Sequence, residues 1–146
     1  MMTRPRKRLF DYSVLLVVYL TVAALVAYWP VPVDSAVAPW LTVSLETLHA
    51  HGVPGWLDYG LVEFLANIVF FVPLAVLLTL LMGRARSWFA VLIAVAASMS
   101  IEVGQLIFVS ARFATLTDVA ANSIGAAIGA GIAVFATRRV QRVEQD

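Results

Sequence analysis

Residues 61–82 form the stretch LVEFLANIVFFVPLAVLLTLLM, in which Glu63 is the only charged residue. About 20 consecutive apolar residues are enough for a helix to cross the ~30 Å hydrocarbon core of a bilayer. The apolar side chains cover the whole circumference of such a helix, which is typical of a membrane span and not of an amphipathic surface helix. This stretch therefore predicts a transmembrane helix.

Three further stretches have the same character, at 9–29, 87–109 and 118–137. The whole chain is 62% hydrophobic and only 13% charged, whereas charged residues make up about a quarter of an ordinary soluble domain. We predict an all-α polytopic membrane protein, a four-transmembrane-helix bundle that forms a single domain over residues 1–146.

The basic residues predict how the bundle is oriented. Of the ten Lys and Arg residues, only Arg112 falls on the side of the membrane opposite to the others. The positive-inside rule then places both termini in the cytoplasm. The loop 30–60, which has three acidic residues and no Lys or Arg, is predicted to face outward. Its segment 40–48 favours a short helix at the membrane surface, although the same residues also alternate as in a strand.

Polar side chains on three different spans fall at one depth. With a rise of 1.5 Å per residue, Asn67 lies about 9 Å below the outward end of its span and Glu102 about 10 Å. Gln105 and Asn122 lie about 6 Å below the same level. Asp118 and Asn122 are four residues apart and share one helical face. We expect these polar faces to meet each other and not the lipid.

Each polar residue has a structural and a functional interpretation. The amides could simply form hydrogen bonds between helices, whereas an ionisable group such as Glu102 is more costly inside a membrane and favours a site. Asp118 is expected to begin a helix, where its carboxylate can cap free N–H groups. Arg112, six residues earlier, could pair with Asp118 or Glu102, or bind an anionic headgroup through its planar guanidinium.

Two features predict helix packing. Gly125 and Gly129 form a ridge of small residues that lets a neighbouring helix approach closely. Pro73 removes a backbone hydrogen bond in the second span, so a kink is expected there.

The chain resembles the VanZ-like family of small bacterial membrane proteins. The resemblance covers about residues 61–132 and rests on four segments, which are Asn67-Ile-Val-Phe-Phe-Val-Pro73, Ile101-Glu-Val-Gly-Gln105, Arg112-Phe113 and Asp118-Val-Ala-Ala-Asn-Ser-Ile-Gly125 with Gly129. Ala75 stands where many members have Gly, and Ala114, Thr115 and Thr117 stand where many have additional Asp.

The resemblance implies a multi-pass protein of the bacterial cytoplasmic membrane. The founding member is linked to low-level resistance to teicoplanin, a glycopeptide antibiotic with a lipid tail that acts at the outer face of this membrane. The resemblance thus implies a role in the cell envelope and in antibiotic resistance, but no reaction.

Three functions remain open. The first is noncatalytic binding or shielding of a membrane lipid or lipid-linked envelope component at the outer leaflet. The second is an intramembrane enzyme that acts on such a substrate, with Glu102 or Asp118 as general acid or base. The third is a small proton-coupled transporter or assembly subunit. A homo-oligomer is considered as well, because four short helices offer little volume for a transport path.

Other chemistry has little support in the sequence. His49 and His51 lack further histidines or cysteines that could complete a metal site, so we expect no metal and no cofactor. The basic residues are few and their placement follows from topology, so we expect no nucleic-acid partner. The candidate ligand-binding residues are Asn67, Glu102, Gln105, Arg112, Asp118 and Asn122.

Overall fold

The computed structural model describes residues 4–29, 35–108 and 115–143. These residues form five helices, which are α1 (Arg4–Ala27), α2 (Ala38–Ala50), α3 (Tyr59–Met82), α4 (Ser87–Phe108) and α5 (Leu116–Val143). A short 3-10 turn, Arg84–Arg86, joins α3 to α4.

Four of the helices are long and apolar enough to cross a membrane. These segments are Arg6–Ala27, Tyr59–Met82, Arg84–Phe108 and Leu116–Arg139. The all-α fold with four membrane spans is therefore confirmed for the part of the chain that the structure describes. The cytoplasmic position of the termini stays a prediction.

The segment between α1 and α3 contains the short helix α2. Of the two interpretations of residues 40–48, the helix is confirmed. Pro39 lies in its first turn, where a residue without an N–H group fits best. At its other end, a ring nitrogen of His49 lies 3.0 Å from the carbonyl oxygen of Leu57, so the chain folds back toward the start of α3.

Helix α3 lies at the centre of the bundle and packs against α1, α4 and α5. The core is built from Phe71, Leu74 and Ala75 of α3, together with Ala94 of α4 and Ala126 of α5. Three of these five residues are alanines, so the helix backbones lie close together and packing does not depend on large side chains.

The glycine ridge of α5 packs directly on the backbone of α3, as predicted. A Cβ atom at Gly125 would collide with the carbonyl oxygen of Ile68, and one at Gly129 with that of Val72. A Cβ atom at Gly129 would also lie 3.1 Å from the methyl group of Ala75. The alanine that departs from the family pattern is thus accommodated because the residue facing it has no side chain.

Two further features shape α1 and α3. Pro73 lies inside α3, and the helix continues beyond it to Met82. Helix α1 contacts α3 through the hydroxyl group of Tyr19, which donates to the carbonyl oxygen of Phe70, and through the rings of the same two residues, whose centroids are 5.7 Å apart. Most of the remaining surface of α1 is exposed and apolar, as expected for a helix that faces lipid.

Candidate functional site

Polar side chains meet at the end of the bundle where α3 and α5 begin and α4 ends. Glu102, Gln105 and Asn122 are buried there, with exposed fractions of 8%, 6% and 5%. The expectation that the polar faces of these helices turn away from lipid is therefore confirmed for these three residues.

The first turn of α5 is held by a reciprocal pair of hydrogen bonds between Thr115 and Asp118. The backbone N–H of Asp118 donates to Thr115 Oγ1 at 3.1 Å, and the Thr115 hydroxyl donates to Asp118 Oδ2 at 2.7 Å. Because α5 begins at Leu116, Asp118 lies inside the helix and Thr115 is the cap. Asp118 lies in the first turn of α5, as expected, but the prediction that its carboxylate caps the free N–H groups was wrong, because the hydroxyl of Thr115 is the cap.

Asp118 also links α5 to α3. The side-chain amide of Asn67 donates to Asp118 Oδ1 at 2.7 Å. Both carboxylate oxygens of Asp118 therefore accept a hydrogen bond, one from α3 and one from the cap of its own helix. A carboxylate held on both sides has a fixed position, and it fixes the start of α5 relative to α3.

Glu102 of α4 contacts the same cap. Its Oε2 atom accepts a hydrogen bond from the backbone N–H of Thr115 at 3.0 Å. Thr115 therefore binds two carboxylates, with its main chain bound to Glu102 and its side chain to Asp118. The end of the loop that joins α4 to α5 is held between these two acidic residues.

Asn122 contacts α4 one turn further into the bundle. Its amide nitrogen donates to the hydroxyl oxygen of Ser98 at 2.8 Å, and Ser98 is fully buried. The amide oxygen of Asn122 has no partner among the described residues. This pair is separate from the Asn67–Asp118 contact, although the same face of α5 carries both.

Gln105 connects α4 to α1. Its amide nitrogen donates to the carbonyl oxygen of Ala27 at 2.9 Å, which satisfies one of the free carbonyl groups at the end of α1. The adjacent Gly104 lies under the ring of Tyr28, where any Cβ atom would collide with the Tyr28 side chain. Helix α1 therefore closes one side of the polar end of the bundle, which the sequence did not predict.

The predicted site residues thus form one connected group and two separate contacts. Thr115 joins Glu102 to Asp118, and Asn67 binds Asp118 directly. Gln105 and Asn122 bind elsewhere, to α1 and α4. Arg112 lies outside the described residues. We refer below to Asn67, Glu102, Thr115 and Asp118 as the polar cluster.

Two of the residues that complete these contacts were recognisable from sequence. Thr115 and Asp118 match the Ser/Thr-x-x-Asp/Glu pattern of a helix start, and Ser98 lies four residues before Glu102 on the same face. Nothing in the sequence near Tyr28 indicates its contact with Gly104.

The polar cluster can position groups by hydrogen bonding, since its carboxylates accept bonds from an amide, a hydroxyl and a main-chain N–H. Within the described part of the chain, no group of three or more His, Cys, Asp or Glu side chains could hold a metal ion.

Comparison with known proteins identifies the family. A model of the VanZ/LLP1 family matches residues 12–137. The chain belongs to this family. The match also includes residues 12–27 of α1, which lie before the family motifs at 67–129. Neither the curated proteins nor the solved structures compared with this VanZ/LLP1 protein include a match.

Proposed function

We propose that this VanZ/LLP1 protein binds a membrane lipid or a lipid-linked envelope component that has an anionic headgroup. Binding takes place at the end of the bundle that carries the polar cluster, in the outer leaflet. The observation that carries the proposal is the double attachment of Thr115 to Glu102 and Asp118. It fixes the chain three residues after Arg112, the cation that the proposal assigns to the headgroup.

The role of Arg112 follows from its chemistry and its place in the chain. A guanidinium group presents several N–H donors in a plane and can bind a phosphate or carboxylate through two parallel hydrogen bonds. Arg112 is the only Lys or Arg between Arg86 and Arg138. The loop between α4 and α5 therefore offers one cation, Arg112, to an anionic headgroup at this end of the bundle.

The contacts of the two carboxylates support a positioning role in binding. Both oxygens of Asp118 and one oxygen of Glu102 already accept hydrogen bonds from groups of this chain. Such fixed contacts are what a residue needs in order to position a neighbouring segment. We therefore assign Glu102 and Asp118 the task of holding the segment around Arg112.

The proposed location also connects with antibiotic action. The distribution of basic residues predicts that the polar cluster faces outward, and teicoplanin acts at the outer face of the membrane. We propose that the protein shields a lipid-linked component there and so contributes to teicoplanin resistance.

Native mass spectrometry of the purified protein with its retained lipids tests the binding. We expect an anionic lipid on the wild type, its loss in Arg112→Ala and partial retention in Arg112→Lys, which keeps the charge but not the planar fork. Arg86→Ala is the matched control, because it removes an exposed arginine at the opposite end of the bundle. An identical lipid complement in all four proteins would refute the proposal.

Two isosteric variants separate binding from catalysis. Under the proposal, Glu102→Gln reduces teicoplanin resistance only mildly, because the amide keeps an oxygen that can accept the hydrogen bond from Thr115. Asp118→Asn keeps one of the two acceptor oxygens and therefore reduces resistance further without abolishing it. Complete loss of resistance in both, at normal protein abundance in the membrane, would instead favour the enzyme hypothesis.

A further inference from the structure

The hydrogen bond between Ser98 and Asn122 joins α4 to α5 in the interior of the bundle. The amide nitrogen of Asn122 lies 2.8 Å from Ser98 Oγ, and both residues are buried. The amide oxygen of Asn122 accepts no hydrogen bond from the described residues. A buried polar atom without a partner costs at least as much free energy as one hydrogen bond typically contributes. The pair therefore gives the contact between α4 and α5 a direction more than it adds net stability.

The pair lies one helical turn deeper in the bundle than the two carboxylates of the polar cluster. Ser98 precedes Glu102 by four residues on α4, and Asn122 follows Asp118 by four residues on α5. Residues four apart share one helical face, so α4 and α5 are connected at two successive levels. The outer level is the connection of Glu102 to Asp118 through Thr115, and the inner level is the bond between Ser98 and Asn122.

The apolar part of the contact between α4 and α5 is built from small side chains. The buried apolar residues of α4 are Ala90 and Ala94, and those described for α5 are also alanines. Methyl groups let helix backbones approach closely, but they interlock less than large side chains and oppose the sliding of one helix along the other only weakly. A buried polar contact can specify the register of such an interface, as a single buried asparagine does in coiled coils.

We propose that Ser98 and Asn122 are positioning residues of the headgroup site. Their hydrogen bond fixes the spacing and register of α4 and α5, so that Glu102 and Asp118 both reach Thr115. This inference rests on the proposed function, because it assigns the pair a task in lipid binding. Without the pair, only a fraction of the molecules hold the loop in the binding-competent position, and the apparent dissociation constant for the lipid rises by the inverse of that fraction.

Lipid retention in native mass spectrometry tests the pair. We expect Ser98→Ala to reduce retention of the anionic lipid about three- to tenfold, the factor that corresponds to the loss of one hydrogen bond between membrane helices. Ser100→Ala is the matched control, because it removes a hydroxyl group of the same helix that donates to the carbonyl oxygen of Ala96 within α4. Equal retention in the two variants would overturn the proposal.

A double variant separates position from stability. Ser98→Ala combined with Asn122→Leu leaves neither partner buried and unpaired, so it should be more stable than Asn122→Leu alone. The double variant still lacks the hydrogen bond, so its lipid retention should stay as low as that of Asn122→Leu. Recovery of retention together with stability would overturn the proposal, because the pair would then contribute only to the stability of the fold.

The spacing of α4 and α5 can be measured without any lipid ligand. The chain contains no cysteine, so Val103→Cys and Ile124→Cys introduce two unique sites for spin labels at exposed positions of α4 and α5. Electron paramagnetic resonance should give a narrow distance distribution in this labelled background and in its Ser100→Ala variant, and a broader or shifted one in Ser98→Ala. An unchanged distribution in Ser98→Ala would overturn the proposal.

The two assays distinguish the failure of this inference from the failure of the proposed function. If Arg112→Ala retains as much lipid as the wild type, the headgroup assignment fails, and the distance distribution alone decides whether Ser98 and Asn122 set the helix spacing. If Arg112→Ala loses the lipid but Ser98→Ala keeps it, headgroup binding stands and the positioning role fails.

Discussion

Replacement of Gly125 by alanine tests the packing that holds the polar cluster together. The new Cβ atom would collide with the carbonyl oxygen of Ile68 and lie 3.1 Å from the Cα atom of the same residue. These are main-chain atoms of α3, so no side chain can rotate away. Helix α5 would have to withdraw from α3 along their whole contact.

The expected cost follows from two opposing effects. Insertion of a methyl group into a well-packed interior costs roughly 1–3 kcal/mol, and a rigid obstacle favours the upper end. Alanine has a higher helix propensity than glycine, which offsets this by at most about 1 kcal/mol. We therefore expect Gly125→Ala to lower the free energy of unfolding by about 2 kcal/mol.

Gly131→Ala is the matched control, because it lies in the same helix and a Cβ atom there meets no atom within 4 Å. It should leave the free energy of unfolding unchanged or raise it slightly. Thermal unfolding in detergent, followed by tryptophan fluorescence, compares the two variants. Equal stability of Gly125→Ala and Gly131→Ala would refute the close packing of α5 on α3.

Three further predictions concern the polar contacts. A double-mutant cycle of Asn67→Ala and Asp118→Ala should give a coupling energy of roughly 1 kcal/mol in the same unfolding assay, and additive effects would contradict the contact between α3 and α5. Gln105→Leu should cost roughly 1 kcal/mol and speed proteolysis at the end of α1, whereas wild-type proteolysis would show that this contact does not hold α1. Asn122→Leu combined with Ser98→Ala should be less destabilising than Asn122→Leu alone, because removal of both polar partners leaves neither of them buried and unpaired. A double variant that is less stable than Asn122→Leu would indicate that Ser98 has another essential partner.

The spans were predictable because hydrocarbon thickness sets their length. Helix α3 was predicted at 61–82 and α4 at 87–109, close to the observed Tyr59–Met82 and Ser87–Phe108. Helices α1 and α5 are longer than predicted, since their basic ends continue the helix beyond the apolar stretch. The length of an apolar stretch indicates which part of a helix can lie in lipid. It does not indicate the residue at which the backbone hydrogen bonds of the helix end.

The sequence predicts the depth of the site residues and the helical faces that they share. It does not predict which groups they bind by hydrogen bonds. Helical rise placed Asn67, Glu102 and Asn122 at one level, and all three do contact a neighbouring helix through their side chains or the α5 cap. Gln105 was expected to face the same cluster, yet it binds the end of α1. A single sequence does not specify which helix lies against a given face, so these partners appear only in three dimensions.

The contact between Asn67 and Asp118 has a consequence for the synthesis of the protein. The two residues are 51 positions apart, so at about 5–20 residues per second α3 is made roughly 3–10 s before its partner carboxylate exists. The amide of Asn67 must find a temporary acceptor during that interval, in the translocon or in water. Completion of α5 therefore supplies the carboxylate acceptor that α3 lacks until that moment.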